Sequence, residues 1–194
     1  ITQTGVIRVA TTGLDGPNAI AFDRFQRPLV TAIGLGGRPQ VALIEPDTTY
    51  RTLTREITSP NGLAFGSDGA LYVADTFQNR VVRMEESDDG TLTTPEIYAS
   101  GLGLPDGIAF DDNGDLFVAG AGQIWVVVPE EAPDARPFTT TGALDGPASL
   151  AFGFGTNRDR SRLYFTNFGY PVIGSGTTVA SVKVGISGAK LFAP

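Results

Sequence analysis

Cysteine and histidine are both absent from this sequence. Without cysteine there are no disulfides, no thiolate metal sites and no cysteine nucleophile. Without histidine there is no Ser-His-Asp triad, no zinc on imidazole and no imidazole general base. Long apolar runs are absent too. The most apolar stretch, Ile124 to Val128, is strand-sized, far short of the roughly 18–20 residues a membrane helix needs. Basic charge is scarce: 14 Lys and Arg stand against 21 Asp and Glu, a net charge of −7. Nucleic acid and anionic membrane both call for Lys/Arg patches, so neither is expected as a partner. The start, Ile1-Thr2-Gln3-Thr4-Gly5, lacks a signal peptide or basic n-region and reads as a mature or trimmed start. A soluble chain is expected, with secreted and cytoplasmic settings both open, because a sufficient core needs no covalent staples.

What is present is apolar residue, glycine and proline. Hydrophobic residues make up 41% of the 194, with 25 Gly and 13 Pro, a composition that suits many strands joined by turns. Four segments line up as repeats: GPNAIAFDRFQRPLVTAI from Gly16, SPNGLAFGSDGALYVADT from Ser59, LPDGIAFDDNGDLFVAGA from Leu104 and GPASLAFGFGTNRDRSRLYFTNF from Gly146. In each, a Pro and a small polar residue precede an apolar strand ending in Ala-Phe. A turn follows, Ser67-Asp68-Gly69 in the second copy and Asp112-Asn113-Gly114 in the third. Such pairs accept positive φ and suit tight hairpins. A second strand alternates at Leu71 to Ala74. Third strands are expected at Arg80 to Met84 and Gln123 to Val127, and outer ones near Glu96 to Ala99 and Pro137 to Thr140.

Four strands in about 42–45 residues is the period of a propeller blade. The expected fold is therefore all-β: a β-propeller of four-stranded antiparallel blades, occupying 1–194 as one domain. The charged insert Gly153 to Arg162 reads as an exposed loop. The last repeat has a third strand, Thr178 to Val184, and no clear fourth. Residues 5–12 resemble an outer strand and are expected to serve a neighbouring or closing blade, leaving no unpaired edge.

The segments resemble the senescence-marker protein/gluconolactonase/luciferin-regenerating-enzyme-like propellers and, more loosely, NHL-repeat propellers. The stretch PNGLAFGSDGALYVADTFQNRVVRM from Pro60 fits both. Ser-Pro-Asn-Gly at 59–62 and Leu-Pro-Asp-Gly at 104–107 are closer to the lactonases. The resemblance implies that Asn61 and Asp106 bind a divalent metal at the axis, that Asp106 is also the base, and that Asn18 lies at the site. It also implies a Glu ligand at the start of a first blade, which this chain does not contain. Six blades need roughly 260 residues. The four repeats thus correspond either to the last four blades of a six-bladed pattern or to a four-bladed ring. Missing N-terminal blades or self-association would make up the deficit.

Residues at one repeat position converge on a propeller axis. Asn18, Asn61, Asp106 and Ser149 are read as holding that position. Oxygen donors of this kind suit Ca²⁺ before Mg²⁺ or Mn²⁺. The expected activity is hydrolysis of a lactone or related ester, a small-molecule substrate. The metal would act as Lewis acid, Asp106 as base, and Asn18, Ser149 and Asn167 as substrate contacts. Two alternatives stand beside it: a non-catalytic NHL-like module binding protein or carbohydrate, and a pocket that shapes a substrate for non-hydrolytic cyclisation. Asn and Asp after proline also serve as plain turn residues. Asp75 is expected to make a blade-to-blade hydrogen bond. The acidic turns 85–90 and 111–115 are expected as solvated tips, Trp125 as core, and Phe77, Phe168 and Tyr170 at a channel mouth.

Overall fold

The computed structural model describes residues 9–120, 122–132, 134–138, 144–153, 158–169 and 178–189. The chain is a β-propeller of four antiparallel sheets set round one axis. The first blade is β1 (Pro17–Phe22), β2 (Pro28–Ala32), β3 (Gln40–Ile44) and β4 (Tyr50–Thr54). The second is β5 (Pro60–Phe65), β6 (Leu71–Asp75), β7 (Arg80–Met84) and β8 (Glu96–Ser100). The third is β9 (Ile108–Phe110), β10 (Leu116–Gly120), β11 (Gln123–Val127) and β12 (Arg136–Pro137). The fourth is β13 (Pro147–Phe152), β14 (Arg162–Asn167) and β15 (Thr178–Lys183). Each sheet runs in chain order from its axial edge strand outward.

The alternation in each strand explains the packing. Odd and even side chains go to opposite faces, and both faces of an inner blade are covered by neighbours. Leu63, Leu71, Val73 and Met84 pack on Leu29, Val41 and Leu43 of the first blade. Ile108, Phe110, Leu116 and Val118 pack on Tyr72, Ala74 and Val81 of the second. Leu163 and Phe165 pack on Phe117, Ile124 and Val126 of the third. Edge-to-face ring pairs cross two of these seams, Tyr72–Phe110 at 4.8 Å and Phe117–Phe152 at 5.6 Å. Truncating a fully buried member such as Leu71 or Leu116 to Ala costs ~2–5 kcal/mol.

Blade-to-blade packing follows chain order, β1 and β2 on β5, β5 on β9, β9 and β10 on β13. Among the described residues the seam between the fourth and first blades has no comparable packing. Of the segment 5–12, residues 5–8 lie outside the described residues and 9–12 hold no strand. The outer strand of the third blade is short, at Arg136–Pro137. The third strand of the fourth blade is β15 as expected, and the insert before β14 carries a 3₁₀ turn at Arg158–Ser161.

The acidic segment 85–90 is not a free tip. Arg27 reaches Glu86 at 3.2 Å, Arg24 pairs with Asp88, and Arg51 donates to the Asp89 carbonyl at 3.0 Å. These pairs pin the first blade to the second at the end remote from the site. Asp75 is also reassigned. It accepts from Ser59 N and from Arg80, within its own blade and the connector entering it, and not from a neighbouring blade. A carboxylate is needed there because the Thr58–Ser59 backbone and hydroxyls turn inward toward the end of β6.

Candidate functional site

The axial strands share one irregularity. Register shifts between Pro17 and Ile20, between Pro60 and Leu63, and between Pro147 and Leu150. Two residues there oppose one on the partner strand: Asn18 and Ala19 face Thr31, Asn61 and Gly62 face Ala74, Ala148 and Ser149 face Thr166. Bulges of this kind re-aim side chains and collect beside functional sites. In the third blade the same stretch, Asp106-Gly107, lies just before β9, tied to β10 by Asp106 N to Ala119 O at 2.8 Å and Ala119 N to Gly107 O at 2.9 Å.

Register corrects one assignment. Ala148, not Ser149, is equivalent to Asn18, Asn61 and Asp106. Ser149 follows it, at the position of Ala19, Gly62 and Gly107, and its N–H donates to Thr166 Oγ1 at 3.1 Å. The axial set is therefore Asn18, Asn61, Asp106 and Ala148, two amides, one carboxylate and one methyl.

Asn18 and Asn61 are brought together, Asn18 Nδ2 donating to Asn61 Oδ1 at 2.5 Å. Asn61 Nδ2 donates to Thr76 Oγ1 at 3.3 Å, and Thr76 Oγ1 donates to Pro105 O at 2.7 Å. Thr76 thus couples Asn61 to the segment carrying Asp106. Gly62 N donates to Asp106 O at 3.1 Å, and Gly107 N to Ala148 O at 2.9 Å. These contacts are possible because neither residue has a side chain. A Cβ on Gly62 would sit 2.3 Å from Asp106 O, and one on Gly107 2.4 Å from Ala148 O.

The Asp106 carboxylate is half-buried and meets no hydrogen-bonding or ionic partner among the described residues. Burial alone raises its pKa above the ordinary carboxylate value. Asn167 is placed elsewhere, at the position of Asp75. It is buried, accepting from Asp145 N at 3.1 Å and donating to Thr178 Oγ1 at 2.8 Å, so its amide is spent on the frame of its own blade.

Because Pro17, Pro60 and Pro147 pair with the last residues of β2, β6 and β14, the loops after those strands emerge at the same end as the axial set. Leu35, Phe77 and Phe168 stand exposed in these loops, and Leu104 in the connector before Asp106. Tyr170 lies outside the described residues. Trp125 is half-buried against the core. Thr76 was not singled out in the sequence; its signal is the hydroxyl directly after Asp75 in the second repeat. No three acidic side chains among the described residues are grouped so as to hold a metal ion by themselves.

Four blades round an axis lined by amides and one carboxylate, unpaired among the described residues, define a propeller with a polar axial site. The chain belongs to the SMP-30/gluconolactonase/LRE-like family, whose profile matches residues 35–168. No curated protein sequence matches it. Among solved structures it is similar to a calcium-binding protein, regucalcin, from Agrobacterium tumefaciens strain C58, at 20% identity and TM-score 0.74, over 96% of this chain and 68% of that one. It is similar to a luciferin-regenerating enzyme at 19% identity and TM-score 0.72, over 91% and 64%. It is similar to a gluconolactonase from Xanthomonas campestris at 24% identity and TM-score 0.65, over 84% and 57%. The chain thus spans less than two thirds of the last two. At these identities the likeness is one of fold.

Proposed function

We propose that the chain carries the axial site of a metal-assisted hydrolase acting on a lactone or related ester, with Asp106 as the base. The observation that carries this reading is the half-buried Asp106 carboxylate, unpaired among the described residues and joined through Thr76 and Pro105 to the Asn18–Asn61 pair. One carboxylate and two amide oxygens form a hard donor set that fits a divalent cation, Ca²⁺ first. Asp106, Asn61 and Asn18 would hold it, with water or substrate supplying the remaining oxygens. When bound, the cation supplies Lewis-acid polarisation of a carbonyl. The family match and the similar gluconolactonase support the hydrolase class, and the similar calcium-binding regucalcin supports the cation.

The chain's own residues do the rest. Asp106 accepts a proton from water as the water oxygen attacks the lactone carbonyl carbon. The ring C–O bond breaks, and the proton passes to the departing alkoxide, giving a hydroxy acid. Asn18 and Asn61 orient substrate oxygens. The exposed Leu35, Phe77, Leu104 and Phe168 at the same end suit a substrate with an apolar body.

Two measurements test this. Millimolar Ca²⁺, Mn²⁺ or Mg²⁺ is expected to raise the melting temperature by mass action, and a flat response to all three defeats the metal assignment. Asp106→Asn is expected to lose roughly 10²–10⁴-fold of lactone turnover while remaining folded. Unchanged turnover in that variant removes Asp106 from the role of base.

A further inference from the structure

Two positions at the axial end are glycine in the first and fourth blades and large apolar residues in the blades between. The first position stands directly before a blade's proline. Gly16 and Gly146 hold it, with φ of 65° and 60°. In the third blade it is Leu104, with φ of 56°. Glycine adopts this left-handed backbone freely, and leucine rarely does. The second position lies in the loop after a blade's second strand. Gly34 N donates there to Asp15 O at 3.0 Å, and Gly169 N to Asp145 O at 2.8 Å. Phe77 takes that place in the second blade, and its N–H donates to Ser59 Oγ at 2.7 Å.

Neither residue serves the core: Phe77 is 76% exposed and Leu104 40%. Both stand at the seam of the second and third blades, inside the array. The backbone brings them together. Leu102 N donates to Asn79 O at 3.2 Å, Leu104 N to Asn79 Oδ1 at 2.7 Å, and Thr76 Oγ1 to Pro105 O at 2.7 Å. The turn carrying Phe77 is thus bonded on both sides of it to the connector carrying Leu104. Asp106 follows two residues later. A strained backbone held without a packing return is a mark of functional segments. Hydrogen-bonding groups beside the pair are already engaged, Asn61 Nδ2 on Thr76, Asn79 Oδ1 on Leu104 N and Arg80 on Asp75. A polyhydroxylated ring gains little from such a wall, whereas an alkyl or aryl group covers both side chains.

We propose that Phe77 and Leu104 form an apolar lip that sets the substrate class: a lactone with an alkyl or aryl substituent on its ring, in preference to a sugar lactone. The proposal rests on the reading of Asp106 as the base. The lactone carbonyl lies at Asp106, and the substituent runs out over the lip. Each methylene covered there adds roughly two- to fourfold in affinity. Phe77 and Leu104 determine specificity and take no part in the proton transfer.

The test compares kcat/KM for δ-valerolactone, its pentyl-substituted homologue δ-decalactone, and gluconolactone, with Ca²⁺ present. The wild type is expected to favour δ-decalactone roughly 10- to 100-fold over the other two. Phe77→Ser and Leu104→Asn are each expected to cut that preference roughly fivefold or more. Both side chains are exposed and asparagine accepts the left-handed backbone, so both variants are expected to fold, checked by circular dichroism. Leu104→Asn is expected to melt no lower than wild type; a clear drop would make Leu104 structural and overturn its role in the lip. Calorimetry with the hydrolysis-resistant δ-valerolactam and its pentyl derivative separates the lip from the chemistry. Preference for the pentyl lactam, lost in the variants, upholds the lip even if no lactone is hydrolysed, and Asp106 then loses the role of base. Turnover that favours gluconolactone or δ-valerolactone, or a preference that both variants keep, overturns the lip and leaves the hydrolase standing. Failure to hydrolyse any lactone or to bind either lactam overturns both.

Discussion

Asp111 repeats Asp23 bond for bond, except that it lacks the arginine. Asp23 Oδ1 accepts from Phe25 N and Arg27 N, and its Oδ2 pairs with Arg27 Nε at 2.5 Å. Asp111 Oδ1 accepts from Asn113 N and Asp115 N, while its buried Oδ2 has no hydrogen-bond partner among the described residues. Asp115 holds the place of Arg27; burial, and after it Asp112, raises the Asp111 carboxyl above the ordinary value, and burial, and after it Asp111, raises that of Asp115. Asp115→Arg is therefore expected to stabilise the protein by about 1–2 kcal/mol, read as a raised urea midpoint at unchanged slope. An unchanged or lower midpoint contradicts the equivalence.

Glu86 has a pKa pushed up to about 7, first by burial and then by Asp23, against the pull of Arg27. A raised carboxyl pKa means that the folded state keeps a proton the unfolded chain has released. Stability is therefore full below the unfolded value, near pH 4.5, and falls as pH rises toward 7, by on the order of 2–3 kcal/mol. Glu86→Gln keeps an acceptor for Arg27 without the charge. It is expected to flatten that fall and to melt higher than wild type at pH 8. A parallel pH profile in the variant would assign the fall to other groups.

Gly62→Ala places a methyl against Asp106 O. Main chain cannot yield as a side-chain tip does, so a loss of roughly 3 kcal/mol or more is expected. The same shift displaces Asp106, so the cation-induced rise in melting temperature should shrink as well. Gly37→Ala is the reference for backbone effects, since nothing lies near its Cβ, though its positive φ adds some strain. Equal losses at the two positions would deny the close approach.

Thr76→Val keeps shape and removes the hydroxyl that links Asn61 to Pro105 O. As a positioning residue, Thr76 is expected to affect cation affinity more than fold, with a several-fold weaker Ca²⁺ response and a melting temperature within a few degrees of wild type without cation. Rescue by Ser and failure by Val separates the hydroxyl's role from packing.

The blades were legible in sequence because each carries its own punctuation: a proline, a short apolar strand closing on Ala-Phe, and a turn that accepts positive φ. Asn18, Asn61 and Asp106 were legible because they follow those prolines directly. Ser149 stands two residues after Pro147, not directly after it; it is the polar member of the bulge pair, and the series defined by the prolines continues at Ala148. The pairing of Glu86 with Arg27 and of Asp88 with Arg24 was out of reach for another reason. Those partners lie about sixty positions apart and meet only once two blades are stacked. In one dimension Asn167 looks like a candidate site residue and Asp75 like a blade-to-blade tie, and the stacked structure shows both holding the connectors that enter their own blades.

The repetition of one interface along the array also governs how the protein comes apart. Each blade is held by its neighbours, so stability accumulates as a nearest-neighbour sum, and the strands buried on both faces open last. Amide exchange should accordingly be slowest in β6 and β10, flanked on both sides, and faster in β15. In the first blade, the outer strand β4, half-buried along its length, should exchange sooner than the fully buried β3 and β6.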